Sequence, residues 1–411
     1  MKRRAYLAMA TAGSLSLAGC TDTSFVDSSS KNGDDGSDSN SEETSNEYSG
    51  PTGTDDDFEN LDAWTVSGGT LTADPDRALV GSQSARIETT AGGQTTRLAK
   101  TFAEPRDLTD VVPGVAATAN DLFTPWLRLV DSGGDSVEYR RGITADLPFM
   151  RYNFGLESIS DGFDSTAVRE VQLQFWSGEG QERTVWFDDL HFIPRPETGK
   201  VMIQFDDVHV TDHTKALPIL EEYGYPAVTF VNPNYLDRDA GGDPRLSPEQ
   251  LHDLHDAGWC ISNHCLSHPR LPELSREEQR DEIRGGKEWL VEQGFEEGAE
   301  YFAYPFGQFD ETTIELVDEY HEIGFAGGGP VQGYTTNTKL APRIGEPSAE
   351  RVRTALERTA EMRGITSVFY HRLEGENLAA FETFVETIHE YESQGDLDVI
   401  LPQDLGREYL F

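Results

Sequence analysis

Two short stretches carry residues whose types and spacing can do chemistry. Phe205-Asp206-Asp207 closes an apolar run, Val201-Met202-Ile203-Gln204, and His264-Cys265-Leu266-Ser267-His268 follows another strand-like run further along. Two acids at one strand end and a His-x-x-x-His pair at another can converge on a single metal ion. Asp207, His264 and His268 form a His₂Asp set of the kind that suits zinc or a similar first-row divalent ion, with positions left open for water and substrate. Residues four apart face the same way if their loop turns helical, so both rings are expected to reach one ion. A metal lowers the pKa of its water towards neutrality, and Asp206 is then well placed as the base that takes the proton. The bland alternative is two solvated acids capping a loop.

Two further pieces fit around this pair. Ala303-Tyr304-Pro305-Phe306-Gly307 ends another apolar run, and its Pro and Gly fix a sharp turn whose backbone N–H is available to an oxyanion. His371 follows Val368-Phe369-Tyr370 and is a candidate general acid for a leaving amine. His209 and His213, in the loop after Asp207, read as solvated loop residues, with lining of the groove as the alternative, while His191, His252, His255, His321 and His389 read as strand-edge or helix-face residues.

The elements that must position these residues run from 200 onward. Val201–Phe205, Ala227–Val231, Trp259–Ser262, Tyr301–Ala303, Glu322–Ala326 and Ser367–Tyr370 have strand patterns, and helical stretches alternate with them. Ser247-Pro248-Glu249-Gln250 and Ser275-Arg276-Glu277-Glu278 are helix starts with an N-cap serine and a box-closing Gln or Glu. Repeated strand–helix alternation predicts parallel strands with helices outside, an α/β barrel or a variant of one. In such folds chemistry sits at the carboxyl ends of the strands, where the acids and histidines fall.

Taken together these motifs resemble the polysaccharide deacetylases that share the NodB-type domain, the carbohydrate esterase family 4-like group. The resemblance covers 200–411 and implies a distorted (β/α) barrel. It implies Asp206 as general base, and Asp207, His264 and His268 as ligands of a divalent metal, zinc first, with Co, Ni, Mn or Fe as alternatives. The Phe306 N–H would help form the oxyanion hole, Arg343 in Ala341-Pro342-Arg343-Ile344 would orient Asp206, and His371 would be the catalytic acid. The family pattern is departed from at Cys265, where a hydroxyl residue is usual, at Ala303, where Arg often stands, and at Val208, where Gly is frequent. The implied reaction is removal of acetyl groups from N-acetylated sugars of a surface or extracellular polysaccharide. An O-acetyl esterase on the same scaffold and a catalytically silent glycan-binding lipoprotein are the rivals.

Upstream, 57–196 has a β pattern. Trp64-Thr65-Val66, Ser84–Ile87, Trp126–Val130, Val171–Trp176 and Val185–Leu190 are separated by Gly, Asp, Asn and Pro turns, which predicts an all-β, jelly-roll-like sandwich. It loosely resembles modules found beside carbohydrate-active enzymes. Trp64, Trp126, Trp176 and Trp186 are candidates for a sugar-stacking platform, although core filling is the simpler reading of each. Pro194–Gly199 reads as the connection between the two domains.

Composition sets the setting. The 411 residues carry 74 acids against 33 bases, a formal charge of −41. This argues against nucleic acid or an anionic membrane surface as partner and fits a chain that stays hydrated in concentrated salt, hence a halophilic source. Residues 1–20 read as an export signal: a twin-arginine start at Arg3-Arg4, then a short apolar stretch ending in the lipobox-like Leu17-Ala18-Gly19-Cys20. Lipid on Cys20 would anchor the exported chain to the outer face of the cytoplasmic membrane. Residues 21–56 are polar and acidic, the composition of a disordered stalk. Cys260 and Cys265 are read as buried fillers, with a local disulfide or metal ligation as the alternatives.

Overall fold

The computed structural model describes residues 51–89, 95–178, 182–239 and 242–411. The export signal, Cys20 and nearly all of the stalk lie outside the described residues.

From 53 to 194 the described chain is antiparallel β. One sheet runs in the order Gly69–Asp74, Ser84–Thr89, Thr184–Pro194, Val111–Ala119, Met150–Tyr152, and Gly53–Asp56 pairs with Thr184–Pro194. The other runs Gly155–Ile159, Ser136–Arg140, Trp126–Asp131, Val168–Trp176, Thr95–Arg106, Thr65–Ser67. Alternation decides which side is buried: Val171, Leu173 and Phe175 point inward from one strand while Glu170, Gln174 and Trp176 do not. Phe175 meets Phe187 of the first sheet with ring centroids 6.1 Å apart, and both belong to one apolar cluster fed by both sheets.

From 199 the period changes and the strands become parallel. Among the described residues, seven close a ring: Gly199–Asp206, Val228–Val231, Cys260–Asn263, Tyr301–Ala303, Ile323–Gly327, Ala341–Gly345 and Ile365–Tyr370, the last pairing back to the first. The ring is uneven. At its start the first strand pairs with Leu397–Val399 (Gly199↔Leu397), and only at its end, from Gln204↔Val228, with the second strand. The eighth strand therefore occupies the gap left where first and second strands splay apart.

Both faces of these strands are covered, which is why all eight residues of Gly199–Asp206 are buried. Met202, Phe230 and Phe325 fill the interior, whereas Val201, Ile203 and Phe205 pack outward under the helices. The helices start where the capping signals lie. Pro248–Asp256 and Arg276–Glu292 each open with the serine box, Ser247 with Gln250 and Ser275 with Glu278.

The join between sheets and barrel is buried. Arg195, 5 % exposed, donates from Nε to the Val111 carbonyl, from Nη1 to the Met362 carbonyl and from Nη2 to the Tyr139 hydroxyl. Gly155 lies so close to the 329 backbone that a Cβ there would stand 2.5 Å from the Gly329 carbonyl carbon. The apolar cluster of the sheets continues into the barrel side through Phe302, Tyr304, Leu316, Val331 and Leu340.

Candidate metal centre

Five barrel strands deliver side chains to one end. The first strand ends in Asp206, whose carboxylate is 2 % exposed and points inward with Met202 and Gln204. Arg343 from the sixth strand meets it bidentately, Nη1 to Oδ1 and Nη2 to Oδ2, both at 2.8 Å. The guanidinium is itself held over Phe369 at 4.1 Å and near Phe230 at 5.5 Å. Burial pushes the Asp206 pKa up, but Arg343 and then His264 prevail and hold it down to about 2. Asp206 is therefore ionised at any working pH.

That pairing has a pH signature. A carboxylate whose folded pKa lies below its unfolded value contributes stability above the unfolded pKa, near 4, and loses it as pH falls through the folded one. We expect about 2 kcal/mol of unfolding free energy to disappear between roughly pH 4 and pH 2 in the wild type. Denaturant titrations across that window should show a shallower fall for Asp206→Asn; an identical fall would remove the pair from the acid-labile set.

Asp207 turns away from its neighbour because the chain turns, with φ 72° at Asp207 and 50° at Val208. Two successive left-handed residues without glycine, one of them β-branched, are strained by about 1–3 kcal/mol each. The turn brings Asp207 Oδ1 to 3.7 Å from His264 Nε2 and 3.4 Å from His268 Nε2. Among the described residues these three offer ligand atoms that all lie within 4.8 Å of one another.

The histidines do not converge through a helical turn, as their spacing suggested. Cys265 and His268 both have positive φ, 64° and 54°, and these two left-handed steps bring the rings to 4.8 Å. Side chains outside the segment hold it: Asn263 Oδ1 accepts from the Cys265 N–H at 3.0 Å, and Glu282 accepts from the Ser267 N–H at 2.8 Å and hydroxyl at 2.6 Å.

The donor chemistry fits a metal. His264 Nδ1 lies 2.6 Å from the Ala303 carbonyl, which can only accept, so Nδ1 carries the proton and Nε2 presents a lone pair. That Nε2 is buried, faces Asp207, and has no hydrogen-bond partner among the described residues. A buried acceptor without a donor is costly unless a cation satisfies it. Burial keeps the His264 pKa low, and burial followed by His264 holds His268 down to about 4, so both rings are neutral and able to ligate.

Phe306 and His371 stand on either side. Phe306 has φ 58°, its half-exposed ring meets the His268 ring at 4.4 Å, and the Arg270 guanidinium lies 4.4 Å from the Phe306 ring centroid. His371 follows the seventh strand and is half-buried, its Nδ1 3.3 Å from Glu346 Oε1. It lies near enough to Asp206 and His268 to interact electrostatically with both. All seven candidate residues therefore gather at one end of the barrel.

Several residues around the site were not singled out in the sequence. Gln204 Oε1 accepts from Arg343 Nη1 at 3.4 Å, and Glu346 faces His371. His209, expected to be solvated, is buried, with Nδ1 donating to Asp243 Oδ1 at 3.0 Å and Nε2 accepting from Arg245 Nη1 at 2.9 Å. His191 and His321 are also buried: His191 lies on a strand paired on both sides rather than at an edge, and His321, which caps a helix, bonds to Asn263. Asp212 is buried behind the acids, accepting from Thr229 Oγ1 at 3.2 Å, and burial raises its pKa well above the usual range. No local sequence signal marks these residues, since their partners are remote. Cys260 and Cys265 are free and buried, and burial raises both thiol pKa values, so neither offers a thiolate.

Residues 194–323 match the family described as polysaccharide deacetylase. The chain is 26% identical over 182 residues to the Bacillus subtilis protein named "Putative polysaccharide deacetylase YxkH", covering 43% of this chain and 62% of that one. It is 25% identical over 130 residues to an uncharacterized 30.6 kDa protein of Geobacillus stearothermophilus, 31% of this chain and 46% of that one. The chain thus spans less than two thirds of either curated relative. Among solved structures it is similar to a family 4 carbohydrate esterase from Streptomyces lividans in complex with acetate, at 17% identity and TM-score 0.37, covering 49% of this chain and 92% of that one. A family pseudoenzyme from Bacillus anthracis is similar at 16% identity and TM-score 0.37, with 53% and 68% covered. The matched stretch lies on the barrel side of the chain and contains Asp206, Asp207, His264, His268 and Phe306.

Proposed function

We propose that this chain is a metal-dependent deacetylase that removes acetyl groups from N-acetylated sugars of a cell-surface or extracellular polysaccharide. The observation that carries the reading is the buried His264 Nε2, which has no hydrogen-bond partner among the described residues and faces Asp207 and His268, beside an Asp206 kept ionised by Arg343. Asp207, His264 and His268 would hold the ion, most simply zinc. When bound, the ion supplies Lewis-acid polarisation of the acetyl carbonyl and acidifies water.

The chain's own groups do the rest. Asp206 takes the proton of the attacking water, and Arg343, occupying one lone pair on each carboxylate oxygen, fixes the direction from which that proton arrives. The Phe306 N–H, set by a left-handed turn after Pro305, is assigned to the developing oxyanion. His371 gives its proton to the departing amine, and Glu346, 3.3 Å from Nδ1, orients the ring.

Acetate release from N-acetylglucosamine oligomers, measured in high salt with added zinc, tests the reading. No release by a zinc-loaded protein would exclude this substrate class. The choice between amide and ester lies with His371. An alkoxide leaves with less help than an amine, so His371→Ala should lower amide turnover by about 10²–10⁴ and O-acetyl ester turnover by far less. Equal losses on both would deny His371 the role of acid to the leaving amine.

The twin-arginine start and the Leu17–Cys20 ending support an exported, lipid-anchored protein working on glycan outside the cell. The sheets support a glycan-holding role of their own. Trp64 and Trp186 are core residues, bonded through Nε1 to Asp56 and Asp74, whereas Trp176 is exposed and Trp126 half-buried. Gln174 pairs directly with Trp126 and lies two residues from Trp176, so all three share one outer sheet face.

A further inference from the structure

We infer that Arg245, with Asp243 and His209, is a positioning device that holds Asp207 in its ligating conformation and ties the metal side of the site to the His371 side. None of the three offers an atom to the ion. The inference rests on the metal-centre reading above.

The need arises from the sequence of the turn. Asp207 and Val208 are both left-handed, and neither is glycine, so the turn does not hold itself. Val208 is fully buried among apolar residues, which fixes where its side chain must go. What remains is to stop the peptide after Asp207 from relaxing. Arg245 Nη1 donates to the Asp207 carbonyl at 2.7 Å, and the Leu246 N–H donates to the Val208 carbonyl at 2.8 Å. Each carbonyl of the strained pair is thus gripped from the same remote segment.

The grip is itself rigid. Arg245 Nη1 also donates to His209 Nε2, Nη2 donates to Asp243 Oδ2 at 2.8 Å, and Asp243 Oδ1 accepts a hydrogen bond from His209 Nδ1. Guanidinium, carboxylate and imidazole therefore form a closed cycle in which each member fixes the other two. Tyr235 flanks the guanidinium, 5.8 Å from its ring centroid. Such a planar fork cannot be replaced by a point charge.

The same carboxylate reaches across the barrel mouth. Arg372, the residue after His371, places Nη1 3.7 Å from Asp243 Oδ1 and Nη2 2.7 Å from Glu374 Oε1. One residue further, the Leu373 N–H donates to Thr211 Oγ1 at 3.1 Å, which returns to the chain just beyond the Asp207 turn. The two halves of the site are joined here by side chains, over and above the barrel strands.

Zinc affinity, measured by competition with a chromophoric chelator on the full chain, separates this role from simple packing. Arg245→Met should weaken zinc binding about 10–100-fold and alter the visible spectrum of the cobalt-loaded protein, with Arg245→Lys restoring only part. In a Val208→Gly background the turn can hold itself, so adding Arg245→Met should cost distinctly less affinity than it does in the wild type. Asp243→Asn, which leaves Arg245 in place, should move affinity in the same direction by a smaller factor. Wild-type zinc affinity in Arg245→Met, or equal losses with and without Val208→Gly, would overturn the positioning role alone. A wild type that takes up no zinc at all would overturn the metal centre and this device with it.

Discussion

Asp206→Asn is expected to lower acetate release by about 10²–10⁴, the range for loss of a positioned general base, while zinc still binds. Asn keeps the shape and one acceptor oxygen but cannot take a proton from water. The substitution also strands Arg343, which is 4 % exposed and meets no other carboxylate among the described residues. Removing one partner of a buried pair costs about 3–5 kcal/mol, so the variant should also melt earlier. Zinc content and far-ultraviolet circular dichroism at the assay temperature separate the two effects. A folded, zinc-loaded Asp206→Asn protein with near wild-type turnover would remove Asp206 from the role of base.

The second large effect is expected at His264. Its ring is fixed at Nδ1 by the Ala303 carbonyl and offers only Nε2 to the centre. His264→Ala should lose bound zinc at micromolar concentrations and lose at least about 10³ in turnover, since several kcal/mol of charge stabilisation go with the ion. Stability of the metal-free protein should fall less than in Asp206→Asn. Among the described residues Nε2 is a buried acceptor without a donor, and deleting it relieves about 1–3 kcal/mol, which offsets part of the cost of the cavity and of the lost bond to the Ala303 carbonyl. Metal content by atomic absorption and melting with and without chelator check both parts. Retained zinc in His264→Ala would require a different ligand set.

The positions of the strand-end residues are legible in the sequence because they depend on short-range pattern. An apolar run followed at once by Asp-Asp, His-x-x-x-His or a single His marks where a strand surfaces, and the serine boxes mark two helix starts. The Asp206–Arg343 pair, 137 residues apart, comes only through family resemblance. Nothing local announces Arg245, Asp243 or Glu346, because their partners are set by which loops the barrel brings together. His209 looks solvated for the same reason: the segment that buries it lies more than thirty residues on. Val111–Ala119 escapes a strand reading because Pro113 and Gly114 interrupt it, yet every residue of it is buried. Leu397–Val399 is three residues long and gains its role only from the splay of two other strands. The paired histidines are a case where the spacing is informative and the local conformation inferred from it is not.

The buried join at Arg195 makes the sheets and the barrel poor candidates for exchange. A freely tethered module can be moved between enzymes in recombination with its linker intact. Here the connecting residue donates to both sides, and the Gly329 backbone fills the space that a side chain at 155 would need. A foreign barrel would have to bring its own carbonyl to the Arg195 fork and its own glycine to the 155 contact.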